Sequence, residues 1–114
     1  MAVKYKVVLA PFPFDDQKQS KVRPALCLTE PIGKFQHIVV AYISSQITNQ
    51  KEESDIFIDS HSSDFAQTGL HVSSIIRLHR LMIIANRDIK RQLGELPLPL
   101  QNELQEKLRK LFFS

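Results

Sequence analysis

Cysteine and glycine are both rare in this sequence, and each shortage excludes a class of protein. Cys27 is the only cysteine among 114 residues, so no disulfide can form within the chain, and we interpret it as a buried structural thiol. Three glycines are too few to build a glycine-rich phosphate-binding loop, and the corresponding motifs are missing.

Long apolar runs and paired metal ligands are lacking as well. No run of 18 or more apolar residues occurs, so we expect no membrane span and predict a cytoplasmic protein. The four histidines are scattered, and no two stand at helical spacing with a carboxylate nearby. We therefore expect no metal ion and no cofactor. Asp15 and Asp16 are adjacent, and we interpret them as turn residues in preference to a catalytic pair.

What the sequence does contain is a series of short strands. Apolar and β-branched segments predict strands at residues 3–10, 25–29, 37–43 and 55–59. Two further strands, VSSIIRL and RLMII, follow with little between them and predict a bent or bulged pair. Pro11 and Pro13 lack an N–H, so pairing of the first strand should stop there or turn to an edge. Gly69 is available for a positive φ.

The end of the sequence predicts one amphipathic helix. Its apolar stripe consists of Leu100, Leu104, Leu108, Leu111 and Phe112, with Glu103–Lys107 and Glu106–Lys110 pairs on the other side. Pro97 and Pro99 suit the entry to this helix. Short strands closed by a helix predict a mainly β fold, a small barrel with the helix packed on it, in one domain spanning residues 1–114.

The charge distribution singles out one region. The net charge of +3, from 15 basic and 12 acidic residues, is too small to identify a nucleic-acid partner. Arg77, Arg80, Arg87, Lys90 and Arg91 nevertheless lie close together with Asp88 as the only acid among them, although a solvated polar face explains such a run equally well.

Arg23 is the strongest single candidate for chemistry. Pro24 restricts the backbone of Arg23 to extended geometry at the point where a polar loop meets a strand. A planar, permanently charged guanidinium in that position suits a two-point contact with a phosphate. An ion pair with Asp15 or Asp16 is the alternative, and local physics does not decide between the two.

Four segments resemble the MazF/PemK family of toxin endoribonucleases in order and spacing. They are PFPFDDQKQSKVRPALCL, AYISSQITNQ, GLHVSSIIRLHRL and RQLGELP, and the resemblance to which they belong extends over nearly the whole chain. The resemblance implies an SH3-like barrel, a homodimer, metal-independent cleavage of single-stranded RNA, and a cognate antitoxin that silences the toxin.

The resemblance also implies site residues. Arg23 matches the family's active-site arginine, and Ser44 stands where many members have a catalytic threonine. The candidates for substrate binding are Lys21, Ser45, Gln46, Ser74 and Arg77. The chain departs from the family at Tyr5–Lys6, where Gly–Asp is common, and at Met82–Ile83, where many members have Arg–Thr.

The chemistry that the resemblance implies is attack of the RNA 2′-hydroxyl on the neighbouring phosphorus, which yields a 2′,3′-cyclic phosphate and a 5′-hydroxyl. Two other functions remain open from the sequence. One is an inactive relative that only binds RNA or antitoxin, in keeping with the changes at Ser44 and Met82. The other is a DNA gyrase poison resembling CcdB, since the chain ends in the aromatic segment LRKLFFS.

Overall fold

The computed structural model describes residues 2–13, 20–47 and 51–114, which form a curled antiparallel sheet and one helix. The sheet has six strands in the order β4-β5-β3-β2-β1-β6. The elements are β1 (Lys6–Pro13), β2 (Ser20–Cys27), β3 (His37–Ser44), β4 (Ile56–Ile58), β5 (Ser74–Ala85), β6 (Arg91–Glu95) and α1 (Leu98–Phe113). Short 3-10 turns occupy Phe65–Thr68 and Asn86–Asp88. The predicted mainly β fold with a terminal helix is confirmed.

The two prolines of β1 lie where the strand has become an edge. β1 pairs with β2 along its whole length, but with β6 only from Lys6 to Leu9. The Leu9 carbonyl accepts a hydrogen bond from the Lys90 N–H at 2.8 Å, so the backbone polar groups of Leu9 point toward β6. The backbone of every second residue after Leu9 points the same way, and β6 no longer pairs with β1 there. Pro11 and Pro13 occupy these positions, so their missing N–H groups cost no ladder hydrogen bond. The sequence predicts that pairing of the first strand either stops at these prolines or continues as an edge, and the structure shows the edge.

The two strands predicted around Arg77 and Met82 form one continuous strand with a bulge. Ala41 of β3 pairs with Leu81, while the next residue, Tyr42, pairs with Arg77. Three residues of β5 therefore bulge out of the ladder, and a bulge bends the strand and redirects its side chains. This irregularity explains why the hydrophobic pattern breaks in the middle of the strand.

β6 is a strand that the sequence pattern did not predict, because RQLGE has no β-branched residue. Its position depends on two glycines that let the 3-10 turn at residues 65–68 approach it. A Cβ atom on Gly94 would lie 2.3 Å from the Gln67 carbonyl oxygen, and one on Gly69 would lie 2.0 Å from the Leu93 carbonyl oxygen. Gly69 also has the predicted positive φ, 73°.

The helix covers one side of the sheet with the first part of its apolar stripe. Leu104 is fully buried, and Leu100 and Leu108 pack on the core. Leu111 and Phe112 are exposed, so the stripe extends beyond the surface that the sheet offers. Glu103 pairs with Lys107 at 3.1 Å as predicted, whereas Glu106 pairs with Arg109 and not with Lys110. In the described part of the chain, no helix is both long and apolar enough to cross a bilayer.

A buried aspartate, Asp55, joins the helix, the sheet and the segment before β4. Asp55 Oδ2 accepts hydrogen bonds from Arg77 Nη1 at 2.6 Å and from the Glu52 N–H at 2.9 Å. The Asp55 carbonyl oxygen accepts a further bond from Lys107 Nζ at 2.5 Å. The segment before β4 is thereby tied both to β5 and to the helix.

Cys27 is fully buried in β2, as expected for a structural thiol. Burial, assisted by the negative charge of Glu30, raises the pKa of the Cys27 thiol to about 11. The side chain is therefore protonated at neutral pH and lacks the thiolate that a nucleophile needs.

Gly69 and Gly33 provide a matched pair for testing how the 3-10 turn docks on β6. Their φ values are 73° and 72°, so an alanine at either position meets the left-handed strain of about 1 kcal/mol. Only at Gly69 does the added Cβ collide with backbone, since nothing lies within 4 Å at Gly33. We expect Gly69→Ala to lower the free energy of unfolding by roughly 3 kcal/mol, and Gly33→Ala by about 1 kcal/mol, in urea denaturation. Equal losses would show that the turn does not need this close approach.

Candidate functional site

The predicted site residues converge on one cleft at an end of the curled sheet. The cleft has a volume of about 720 Å³ and is lined by residues from β1, β2, β3, β5 and β6 and from the segment that leads into β5. Six of the seven candidates line it: Arg23, Ser44, Ser45, Gln46, Ser74 and Arg77. Lys21 is exposed on β2 and is not part of the lining.

Arg23 projects from a regular part of the sheet. It pairs with Ala10 of β1, and Pro24 pairs with Leu9, so both the ladder and the proline restrict its backbone. Its side chain is half-buried, and Nη1 donates a hydrogen bond to the Val22 carbonyl oxygen at 3.3 Å. Asp15 and Asp16, the alternative partners of Arg23, lie outside the described residues.

Ser44 ends β3 at the wall of the cleft. Its hydroxyl oxygen accepts a hydrogen bond from the Gln46 N–H at 3.1 Å, which forms a local turn after the strand. A serine hydroxyl that accepts in this way retains its own hydrogen as a donor. Ser45 and Gln46, the next two residues, are exposed.

Ser74 and Arg77 line the cleft, but protein groups already engage their polar atoms. The Ser74 hydroxyl donates to the Val72 carbonyl oxygen at 2.9 Å and is almost fully buried. The Arg77 guanidinium forms the 2.6 Å ion pair with Asp55. These contacts give both residues a structural role in the wall of the cleft.

The cleft is also lined by four residues that the sequence did not predict as catalytic or substrate-binding residues: Tyr42, His71, Arg80 and Arg91. The Arg80 guanidinium lies over the Tyr42 ring, 4.7 Å from its centroid, a cation–π contact that orients the charged group. The cationic run between residues 77 and 91 was a signal for the two arginines. Only the bulge in β5 and the pairing of β6 with β1 bring them to the same place as Arg23.

The cleft is positively charged. Four arginines line it, and among the described residues no Asp or Glu does. A second cavity of about 760 Å³, beside the C-terminal part of α1, is lined by Glu52 and Glu53 as well as by lysines. The two cavities are similar in volume but differ in charge, and the excess of arginines in the first cavity favours a negatively charged ligand there.

Histidine contributes one side chain, His71, to this cleft. Within residues 2–13, 20–47 and 51–114, no three His, Cys, Asp or Glu side chains are grouped so as to hold a metal ion.

Comparison with solved structures identifies the same fold in two mycobacterial proteins. The Mycobacterium tuberculosis toxin MazF-mt6 is 23% identical with a TM-score of 0.69, and the match covers 94% of this chain and 95% of that one. An endoribonuclease in complex with its cognate antitoxin, from a mycobacterial species, is 12% identical with a TM-score of 0.69, and the match covers 100% and 98% of the two chains. No curated protein matched the chain.

A family model describes nearly the whole sequence. Residues 4–112 match the model of the PemK-like, MazF-like toxin of type II toxin-antitoxin systems. The match includes every strand of the sheet, most of the helix and all the residues that line the cleft. The chain therefore belongs to the PemK-like, MazF-like toxin family of type II toxin-antitoxin systems.

Proposed function

We propose that this toxin is a sequence-specific endoribonuclease that cleaves single-stranded messenger RNA and so inhibits translation and growth. The observation that carries the proposal is the position of Arg23, on a constrained Arg–Pro step inside a cleft that contains four arginines and, among the described residues, no carboxylate. Such a cleft attracts and orients a phosphodiester chain.

The reaction is an intramolecular transesterification. The RNA 2′-hydroxyl loses its proton as its oxygen bonds to the adjacent phosphorus, the bond between phosphorus and the 5′-oxygen breaks, and the leaving 5′-oxygen gains a proton. The products are a 2′,3′-cyclic phosphate and a 5′-hydroxyl. Because the nucleophile is tethered to the group it attacks, positioning and charge stabilisation supply most of the catalysis, and the proposal includes no metal ion.

Arg23 binds the scissile phosphate in this mechanism. Its planar fork of N–H donors matches two phosphate oxygens and stabilises the charge that develops on them. The guanidinium stays protonated at neutral pH, so it serves as a donor and electrostatic stabiliser and not as a base.

Ser44 assists by donating its hydroxyl hydrogen to a phosphate oxygen. The turn with Gln46, at 3.1 Å, holds the Ser44 oxygen in place at the wall of the cleft. One such donor contributes a few kcal/mol at most to stabilising a transition state. Ser45 and Gln46 are exposed next to it and are proposed to contact the flanking nucleotides.

The substrate is single-stranded because only unpaired RNA can turn its bases toward protein side chains. A toxin that acts on messenger RNA works in the cytoplasm. We also infer a cognate antitoxin as the partner of this chain, and an acidic segment of that antitoxin complements the charge of the cleft.

The exposed apolar surface of the subunit supports a homodimer. Phe112 is 58% and Phe113 is 85% exposed at the end of α1, and Ile83 of β5 is 56% exposed. Large apolar side chains left exposed on a small protein indicate an interface with another protein, and a closed two-fold dimer is the commonest such assembly.

Substitution of Arg23 tests the phosphate contact. Arg23→Lys keeps the charge but loses the planar fork, so we expect weak RNA binding to survive while cleavage falls to a small fraction of the original rate. Arg23→Ala should lose both. Cleavage of a labelled single-stranded RNA pool is measured for the three proteins, with and without EDTA, and EDTA should leave the rate of the unsubstituted protein unchanged.

Other outcomes of the Arg23 experiment identify the rival functions. Full activity of the alanine variant would remove Arg23 from the mechanism and favour an ion pair with Asp15 or Asp16, which contributes only a few tenths of a kcal/mol at a surface. If the unsubstituted protein cleaves no RNA, binding assays with RNA and a supercoiling assay with DNA gyrase distinguish a binding-only relative from a gyrase poison.

Ser44→Ala separates catalysis from turn formation. Loss of the turn hydrogen bond alone should lower stability by about 1 kcal/mol and leave cleavage intact. If Ser44 donates to the phosphate, we expect cleavage to fall by roughly ten- to a thousand-fold while the fold persists, and Ser44→Thr should retain activity. Ser63→Ala, at an exposed serine outside the cleft, is the control. Equal rates for Ser44→Ala and the unsubstituted protein would make Ser45 the better candidate.

The dimer is tested by sedimentation at micromolar concentration. We expect a mass of about twice the 13.1 kDa of the chain. Replacing both Phe112 and Phe113 by serine should shift the equilibrium toward the monomer, because apolar contacts at the interface are lost. Leu98→Ser, at an exposed leucine at the other end of α1, should leave the mass unchanged. A mass near that of one chain for the unsubstituted protein would exclude the dimer.

A further inference from the structure

The proposed reaction lacks a proton acceptor. The 2′-hydroxyl of RNA must lose its proton as its oxygen bonds to phosphorus, and general base catalysis of such a step contributes about 10²- to 10⁴-fold. Arg23 stays protonated, and the Ser44 hydroxyl has no useful basicity at neutral pH.

The cleft itself narrows the choice of a base. Among the described residues that line it, no carboxylate is present, the arginines stay protonated, and the remaining ionisable side chains are those of His71 and Tyr42. Imidazole is the only one of these groups that ordinarily titrates between pH 5 and 8. We propose that His71 is the general base that removes the 2′-hydroxyl proton, an inference that rests on the proposed ribonuclease function.

The local structure presents His71 to the cleft. Gly69 turns the chain with a φ of 73°, and the hydrogen bond from the Ser74 hydroxyl to the Val72 carbonyl oxygen, at 2.9 Å, stabilises the entry into β5. His71 lies between these two constraints and is exposed. In the described part of the chain no hydrogen bond or ion pair engages its ring, so both ring nitrogens are accessible to substrate.

Three arginines share the cleft with His71. They are Arg23 of β2, Arg80 of β5 and Arg91 of β6. Arg77, also on β5, is paired with Asp55, whose carboxylate is buried and does not line the cleft. These cations attract the phosphate group whose neighbouring 2′-hydroxyl His71 deprotonates.

The step balances without another reactant. The proton moves from the 2′-oxygen to the neutral imidazole as the bond between the 2′-oxygen and phosphorus forms. The bond between phosphorus and the 5′-oxygen breaks, and the 5′-oxygen takes a proton from water. His71 then returns its proton to solvent.

The test is the pH dependence of cleavage under single-turnover conditions, with a labelled single-stranded RNA. For the unsubstituted protein we expect the rate to rise about tenfold per pH unit at acid pH and to level off once a histidine is neutral. His71→Ala should cleave about 10²- to 10⁴-fold more slowly on the plateau and lose this acid limb. It should bind RNA, measured by fluorescence anisotropy, with unchanged affinity, and added imidazole should restore part of its rate.

His61→Ala serves as the matched control, since His61 is equally exposed but lies outside the cleft. It should keep the original rate and pH profile. The proposal would be overturned if the His71→Ala variant kept the acid limb of the pH–rate profile or the original rate. It would also be overturned if the limb that depends on His71 lay at alkaline pH, because His71 would then act as an acid. Failure of the proposed function is distinguishable, because then the unsubstituted protein cleaves no RNA and Arg23→Ala changes nothing.

Discussion

The ion pair between Asp55 and Arg77 is the constraint on which the arrangement of the cleft depends. Asp55 is buried, and its carboxylate and carbonyl oxygens bind β5, the segment before β4, and the helix at once. A buried charge that loses its partner is strongly destabilising, because its desolvation is no longer compensated. Arg77 therefore holds the wall of the cleft in place, and its own positive charge is largely neutralised there. The charge available to a substrate comes from the other arginines.

Those arginines reach the cleft by different structural means. Arg23 is oriented by the strand ladder and by Pro24, whereas Arg80 is oriented by the Tyr42 ring at 4.7 Å. The bulge between Arg77 and Leu81 allows two arginines of one strand to face the same space. A rigid frame of this kind preorganises donors before a substrate arrives, which is how electrostatic stabilisation becomes effective in a reaction.

Hydrophobic patterns in the sequence predicted the elements whose formation depends on their own residues. HIVVAYI is a buried β-branched run and forms β3, and the leucines at helical spacing form α1. β6 was missed because RQLGE has no β-branched residue. The roles of Gly94 and Gly69 appear only in the folded chain, where they let the 3-10 turn approach β6 closely. The helix stripe was predicted in full, but the sheet covers only its first half, since the extent of the facing surface is not encoded in the helix itself.

For the site, the sequence by itself made Arg23 a candidate, because an Arg–Pro step restricts its own backbone, and the resemblance to a family added the serines after β3. Only the tertiary structure decided which charges lie in one cleft. It pairs Arg77 with Asp55, leaves Lys21 exposed outside the lining of the cleft, and brings His71, Arg80 and Arg91 into the cleft that Arg23 also lines. The physical reason is that these contacts join residues far apart in sequence, through a strand ladder, a bulge and a buried ion pair. A pattern within one segment does not predict such contacts.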